Sequence, residues 1–178
     1  MRRKSLLIVL LLAGFMTPGS RPALAGDEVH CVNVHEVTLS PGLSVQAGSG
    51  SIEVATVKTM ECEGPIDGRM PTGVGSYGEE PGRYGTDDPD SCQAGGEGDG
   101  VFFATIPTTD GDLELRAPYR FTYGDLTTNP GFVSGEFTGD GVRGTFTITP
   151  VEGDCVTSPI TRVRADVDFW FAPSFFRR

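Results

Sequence analysis

The sequence predicts an all-β fold: an antiparallel β-sandwich, or alternatively a small β-barrel, with two disulfides. Three observations support this prediction. Seven segments rich in β-branched and aromatic residues are bounded by Gly, Pro, Asn or Asp. No segment after the N-terminal leader shows a convincing helical period. The four cysteines form an even number in a chain that we expect to be exported.

Residues 1–25 have the three parts of a secretory signal peptide. The cationic start MRRK is followed by the apolar run SLLIVLLLAGF and by the small residues ALA, which end at Ala25. We therefore expect a secreted, extracellular protein with a single domain over residues 26–178. No segment is long enough to span a bilayer, which takes about 20 apolar residues.

The charge of the chain excludes two classes of partner. The net charge is -10, and removal of the leader's cations, Arg2, Arg3, Lys4 and Arg21, would change it to -14. Such a surface repels nucleic acid and anionic membranes. The remaining candidates for a partner are a glycan, the cell wall or another protein.

The predicted strands follow one another along the mature chain, at residues 29–39, 51–61, 101–107, 113–123, 131–138, 142–150 and 160–171. The last is the clearest, because apolar residues from Val163 to Phe171 alternate with charged residues and Trp170. One face of this strand is expected in the core and the other in water. The aromatic stripe at positions 119, 121 and 123 is also expected in the core.

The clearest hairpin lies at residues 131–150. The dipeptide Asp140-Gly141 suits a type I′ turn between two runs rich in Phe, Thr, Val and Ile. This turn would place Gly139 opposite Val142. The same register pairs Phe137 with Gly144 and Val133 with Ile148.

The four cysteines predict two disulfides. The spacings contain no C-x-x-C, which disfavours a zinc site. If the strands around Cys31 and Cys62 run antiparallel about a turn at 46–47, these two cysteines face each other, and Cys92 is left to pair with Cys155. The alternative is a pair of Cys31 with Cys155 and a pair of Cys62 with Cys92.

An acidic run, YGTDDPDSCQAGGEGDG, extends over residues 84–100. Its side chains could collect around an irregular calcium site, since extracellular sites accept mixed carboxylate and carbonyl ligands. The candidate ligands are Asp87, Asp88, Asp90, Glu97 and Asp99. The run lacks the spacing of an EF-hand loop. We therefore prefer to interpret it as a solvated loop that Cys92 fixes in place.

The sequence contains no catalytic motif. His30 and His35 lie an odd number of residues apart, which puts them on opposite faces of a strand, and we interpret both as surface or partly buried residues. Residues 73–78 match G-x-G-x-x-G but lack the flanking strand and helix of a dinucleotide site, so a glycine-rich loop is expected there. Trp170, on the charged face of the last strand, offers a stacking surface for a sugar or a protein.

Several motifs occur in one order along the mature chain: a cysteine near its start, SPGL at residues 40–43, a second cysteine, SGEFTGDGVRGTFTITP, and DCVTSPITRV. In these motifs the chain resembles a group of small exported β-sandwich proteins of high-GC Gram-positive bacteria. The resemblance implies export and a β-sandwich, and it carries over no activity, cofactor or catalytic residue. Acidic residues are sparse in that group, so the acidic run sets this chain apart.

These features predict a binding or envelope-associated structural role and not catalysis. The alternative is an extracellular hydrolase that uses carboxylates. Such an enzyme requires a concave site and one carboxyl group of raised pKa. No cofactor is expected beyond the calcium considered above.

Overall fold

A computed structural model describes residues 29–66, 68–127 and 133–172 of the chain. These residues form nine β-strands and no helix. The predicted signal peptide at residues 1–25 lies outside the described residues. Within the described part of the chain, no helix is long and apolar enough to cross a membrane.

The strands occupy most of the described chain. They are β1 (Val29–Leu43), β2 (Gly50–Val54), β3 (Val57–Glu63), β4 (Gly75–Tyr84), β5 (Gly96–Thr108), β6 (Gly111–Tyr123), β7 (Val133–Gly139), β8 (Val142–Glu152) and β9 (Ile160–Phe171).

All nine strands belong to one antiparallel sheet, and their pairings form a closed circuit. β1 pairs with β2 and β3 on one side and with β9 on the other. β2 and β3 both pair with β4, and each later strand pairs with the next. β2 and β3 lie one after the other in the same position between β1 and β4. The nine strands therefore occupy eight strand positions around the closed sheet. A closed sheet of about this size has an interior just wide enough for side chains, or for one small ligand.

The all-β antiparallel class and both disulfides are confirmed. Cys31 bonds to Cys62, and Cys92 bonds to Cys155, which is the favoured of the two predicted pairings. The hairpin of β7 and β8 is also confirmed in its register: Gly139 pairs with Val142, Phe137 with Gly144, and Val133 with Ile148.

The prediction was wrong in three places. The predicted strand at 51–61 is divided into β2 and β3, because the pairing with β1 shifts register between them. The predicted glycine-rich loop at 73–78 contributes to β4. β5 begins at Gly96 and not at residue 101, so the second half of the acidic run lies in a strand.

The two ends of the closed sheet differ. At the packed end, where β1 begins and β9 ends, large side chains are fully buried; they include Val29, Cys31, Met60, Ile66, Ile106 and Phe171. The loop end is covered by the connections 44–49, 85–95, 124–127 and 153–159. Cys92 joins these connections, because its N–H donates to the carbonyl of Ser44, its carbonyl accepts from the N–H of Leu126, and its sulfur bonds to Cys155.

Candidate functional site

The inward side chains of the closed sheet line a cavity of about 100 Å³ between the packed end and the loop end. Nineteen residues line it, and seventeen of these are aliphatic or aromatic. The aromatic lining comes from six strands and consists of Tyr77, Tyr84, Phe102, Tyr119, Phe121, Tyr123, Phe137, Phe146 and Phe169. The predicted core stripe on β6 therefore faces the interior, and it forms part of the cavity wall. An apolar cavity with few polar groups is the usual form of a small-molecule site.

Glycines opposite the aromatic side chains keep this space open. On four inward positions, a ring carbon of the cross-strand partner lies where the Cβ atom of a larger residue would clash. The pairs are Gly98 with Phe121, Gly100 with Tyr119, Gly135 with Phe146, and Gly144 with Phe137. Because each ring lies against the backbone of the neighbouring strand, the rings cover the wall and leave the centre unfilled.

Glu79 on β4 supplies the carboxyl group of the lining. Tyr77 donates a hydrogen bond of 2.5 Å to Oε1 of Glu79, and Tyr119 donates one of 2.6 Å to Oε2. Burial raises the pKa of the Glu79 carboxyl above its usual range, although both phenolic hydrogen bonds act to lower it. Its side chain is deep in the protein but keeps some accessible surface, because it faces the cavity.

His35 on β1 is the other polar residue of the lining apart from the tyrosines. It is buried and not a surface residue, with 5% of its surface exposed. Its ring stacks on Tyr77 with the ring centroids 4.9 Å apart, and its Nδ1 has no hydrogen-bond partner among the described residues. Burial lowers the pKa of His35 to about 4, while the nearby charge of Asp166 acts in the opposite direction. His35 is therefore a neutral imidazole near neutral pH.

Within the acidic run, Asp90 has a structural role that the sequence did not indicate. It is 3% exposed and lies beneath the loop end. Tyr123 donates a hydrogen bond of 3.1 Å to its Oδ2, and the N–H of Glu97 donates to both carboxyl oxygens at 3.1 Å. Burial raises the pKa of Asp90, against the effect of these hydrogen bonds. At Asp90 the prediction of a solvated loop was wrong, whereas fixation by Cys92 is correct.

The other acidic residues of the run point to different partners. Asp87 forms an ion pair of 3.5 Å with Arg120, and Asp99 forms one of 3.0 Å with Arg83. Asp88 is exposed. Over the described residues, no three His, Cys, Asp or Glu side chains converge in a group that could hold a metal ion. Calcium binding by the run stays a prediction, without a converging set of ligands to support it.

Trp170 lies half-buried on the outer face of β9, between its two cross-strand neighbours. The His30 ring stacks on the indole with the centroids 5.0 Å apart, and the guanidinium carbon of Arg143 lies 5.4 Å from the indole centroid. Nε2 of His30 is 3.0 Å from Oδ1 of Asp168. His30 and His35 thus lie on opposite faces, as predicted. A role of Trp170 in stacking on a sugar or a protein stays a prediction.

The lining can make apolar contacts and hydrogen bonds with a small molecule. Its carboxyl group is that of Glu79. Sequence reasoning missed this residue, because it predicts a glycine-rich loop at 73–78 and no strand over the rest of β4. The alternation Gly75, Tyr77, Glu79 was the available signal, since it places an aromatic residue and a carboxylate on one face of a strand.

Comparison of the chain with protein-family models, with curated proteins and with solved structures found no match.

Proposed function

We propose that this protein is a secreted binding protein that takes a small, largely apolar molecule into the cavity of its closed sheet. The observation that carries the proposal is the cavity itself, with its nearly continuous apolar wall and its single carboxyl group. A glycan chain or a cell-wall polymer is too large for a volume of about 100 Å³.

The cavity has a cost that a bound ligand would offset. Cavities left in protein cores destabilise by about 24 cal/mol per Å³, so this one costs about 2 kcal/mol. An engineered apolar cavity of about 150 Å³ in another protein binds benzene. The present cavity suits molecules of benzene size or somewhat smaller.

The cavity has only some of the features that a hydrolase with paired carboxylates requires. The concave site and a carboxyl group of raised pKa are both present at Glu79. Among the described residues, however, the cavity lining contains no second carboxyl group, and hydrolysis by paired carboxylates requires two. Binding of a small molecule requires no second carboxyl group.

A thermal-shift series with neutral alcohols tests the proposal. Isobutanol, cyclopentanol and benzyl alcohol form a series of increasing size, and the best fit should raise the Tm most. At a hundredfold excess over Kd, binding stabilises the folded state by about 2.7 kcal/mol. Very small ligands gain at most about 1.5 kcal/mol per non-hydrogen atom, so the titration must cover micromolar to millimolar concentrations.

A pair of matched variants locates the binding site. Ala165→Leu places extra carbon atoms at a residue that lines the cavity, so this variant should be more stable than the wild type and should no longer bind the alcohols. Ala117→Leu makes the same change at a buried residue, 1% exposed, outside the lining. It should be destabilised by about 1 to 3 kcal/mol through overpacking. Absence of a shift with every alcohol, or unchanged binding by Ala165→Leu, would refute the proposal.

A further inference from the structure

Glu79 and Glu80 are neighbours on β4, but only Glu80 has a cationic partner among the described residues. Glu80 points outwards and accepts two hydrogen bonds from Arg116, the shorter of 2.7 Å. Glu79 points inwards, and its two partners are the uncharged phenols of Tyr77 and Tyr119. Among the described residues, no Lys or Arg lines the cavity, and His35 is neutral near neutral pH. The interior therefore holds a carboxyl group without a cation.

Three aromatic residues adjoin this carboxyl group: Tyr77 and Tyr119, which donate hydrogen bonds to it, and Phe102 on the neighbouring strand. Phe102 is the cross-strand partner of Glu79, and its ring centroid lies 6.0 Å from that of Tyr77 and 6.4 Å from that of Tyr119. The faces of such rings attract a cation within about 6 Å of their centroids. A carboxylate beside aromatic rings is a combination that recognises an organic ammonium group.

We propose that the ligand of the cavity carries an ammonium group, which binds to Glu79 among the rings of Tyr77, Phe102 and Tyr119. The apolar remainder of the ligand occupies the aliphatic and aromatic part of the cavity. This inference rests on the proposed function, and it assigns the chemical class of the ligand as a small alkyl amine. The net charge of -10 also favours the approach of a cation.

The test compares two probes of nearly the same shape, isobutylammonium chloride and isobutanol. Isothermal titration calorimetry at neutral pH and physiological salt gives the Kd of each. A hydrogen bond between charged groups contributes more binding free energy than one between uncharged groups. The ammonium probe should therefore bind at least about tenfold more tightly than isobutanol to the wild type. This ratio needs no variant, so it can refute the inference by itself.

Two variants at adjacent positions then assign the effect to one carboxyl group. Glu79→Gln keeps the shape of the side chain and removes its charge, so it should abolish the preference for the ammonium probe and retain isobutanol binding. Glu80→Gln makes the same change on the outer face and should keep the wild-type ratio. If Glu79→Gln does not fold, Tyr119→Phe removes a hydrogen bond that favours the ionised form of the Glu79 carboxyl group, so the preference for the ammonium probe should weaken, and an unchanged preference would count against the site.

The outcomes separate the inference from the proposed function. Equal binding of both probes to the wild type, or an unchanged preference in Glu79→Gln, would overturn the ammonium site and leave the apolar ligand in place. An equal loss of preference in Glu80→Gln would show general attraction by the acidic surface and would also overturn it. Binding of neither probe, together with no shift in the alcohol series, would overturn the proposed function as well.

Discussion

Acid should weaken the fold through His35, and the size of the effect follows from the structure. Burial lowers the pKa of His35 from 6.5 to about 4 in the folded state. The unfolded chain therefore binds a proton more readily than the folded chain between these pH values. The contribution of His35 to stability is complete above pH 6.5 and is lost as the pH falls towards 4. One pKa unit corresponds to about 1.4 kcal/mol, so the loss amounts to about 3 kcal/mol.

Two carboxyl groups, those of Glu79 and Asp90, also change the stability with pH. Burial raises the pKa of Glu79 and of Asp90, so each of these contributes stability at low pH that is lost as the pH rises. Their effect has the opposite sign to that of His35. The difference in pH dependence between the wild type and a variant without His35 removes their contribution.

His35→Phe is the suitable variant, because it keeps a ring against Tyr77 and cannot titrate. Urea unfolding at pH 7 and pH 4 gives the free energy of unfolding of each protein. The wild type should lose about 3 kcal/mol more than His35→Phe over this range. At pH 7 the variant should be at least as stable, since it removes a buried nitrogen that has no partner. The control His30→Phe keeps His35, so its free energy of unfolding should fall between pH 7 and pH 4 as in the wild type. Equal pH dependence of the wild type and His35→Phe would refute the reasoning.

Three further predictions concern the wall, the loop end and the acidic run. Gly144→Ala should cost about 1 to 3 kcal/mol, because its Cβ would clash with the ring of Phe137, whereas Gly48→Ala, in open space, should be nearly neutral by urea unfolding. Replacing Cys92 and Cys155 by Ser should cost about 4 kcal/mol, as expected for a crosslink across 63 residues. Calcium and magnesium should change the Tm equally, because the acidic side chains diverge, and a shift with calcium alone would contradict this.

Local patterns were sufficient to predict the hairpin, β9 and the presence of two disulfides, and they favoured the observed pairing over its alternative. The turn at Asp140-Gly141 sets the register of β7 and β8, and alternation sets the faces of β9. The pair Cys31 and Cys62 followed from antiparallel neighbours about one turn. Each of these signals depends on residues that are close in sequence or on a single pairing.

The remaining features depend on contacts across the interior. β4 is rich in Gly, Glu and Pro, which are depleted in strands, and it is stabilised as a strand by the pairings on both of its sides. Asp90 is buried and Glu79 faces the interior, where tyrosines from β4 and β6 donate hydrogen bonds to both carboxyl groups. Sequence spacing shows neither closure of the sheet nor which carboxyl groups it encloses, since both depend on the pairing of β1 with β9.

The cavity and the two disulfides are related through their energies. The cavity costs about 2 kcal/mol, whereas each crosslink contributes about 4 kcal/mol by restricting the unfolded chain. The crosslinks lie away from the lining, one between β1 and β3 and one at the loop end, so they stabilise the fold without occupying the cavity. We expect Ala165→Leu to fill the space with a gain in stability and to remove the volume that the proposed ligand needs. In this closed sheet, stability and the proposed ligand binding thus make opposite demands on the same interior positions, and the estimated contribution of the disulfides exceeds the estimated cost of the cavity.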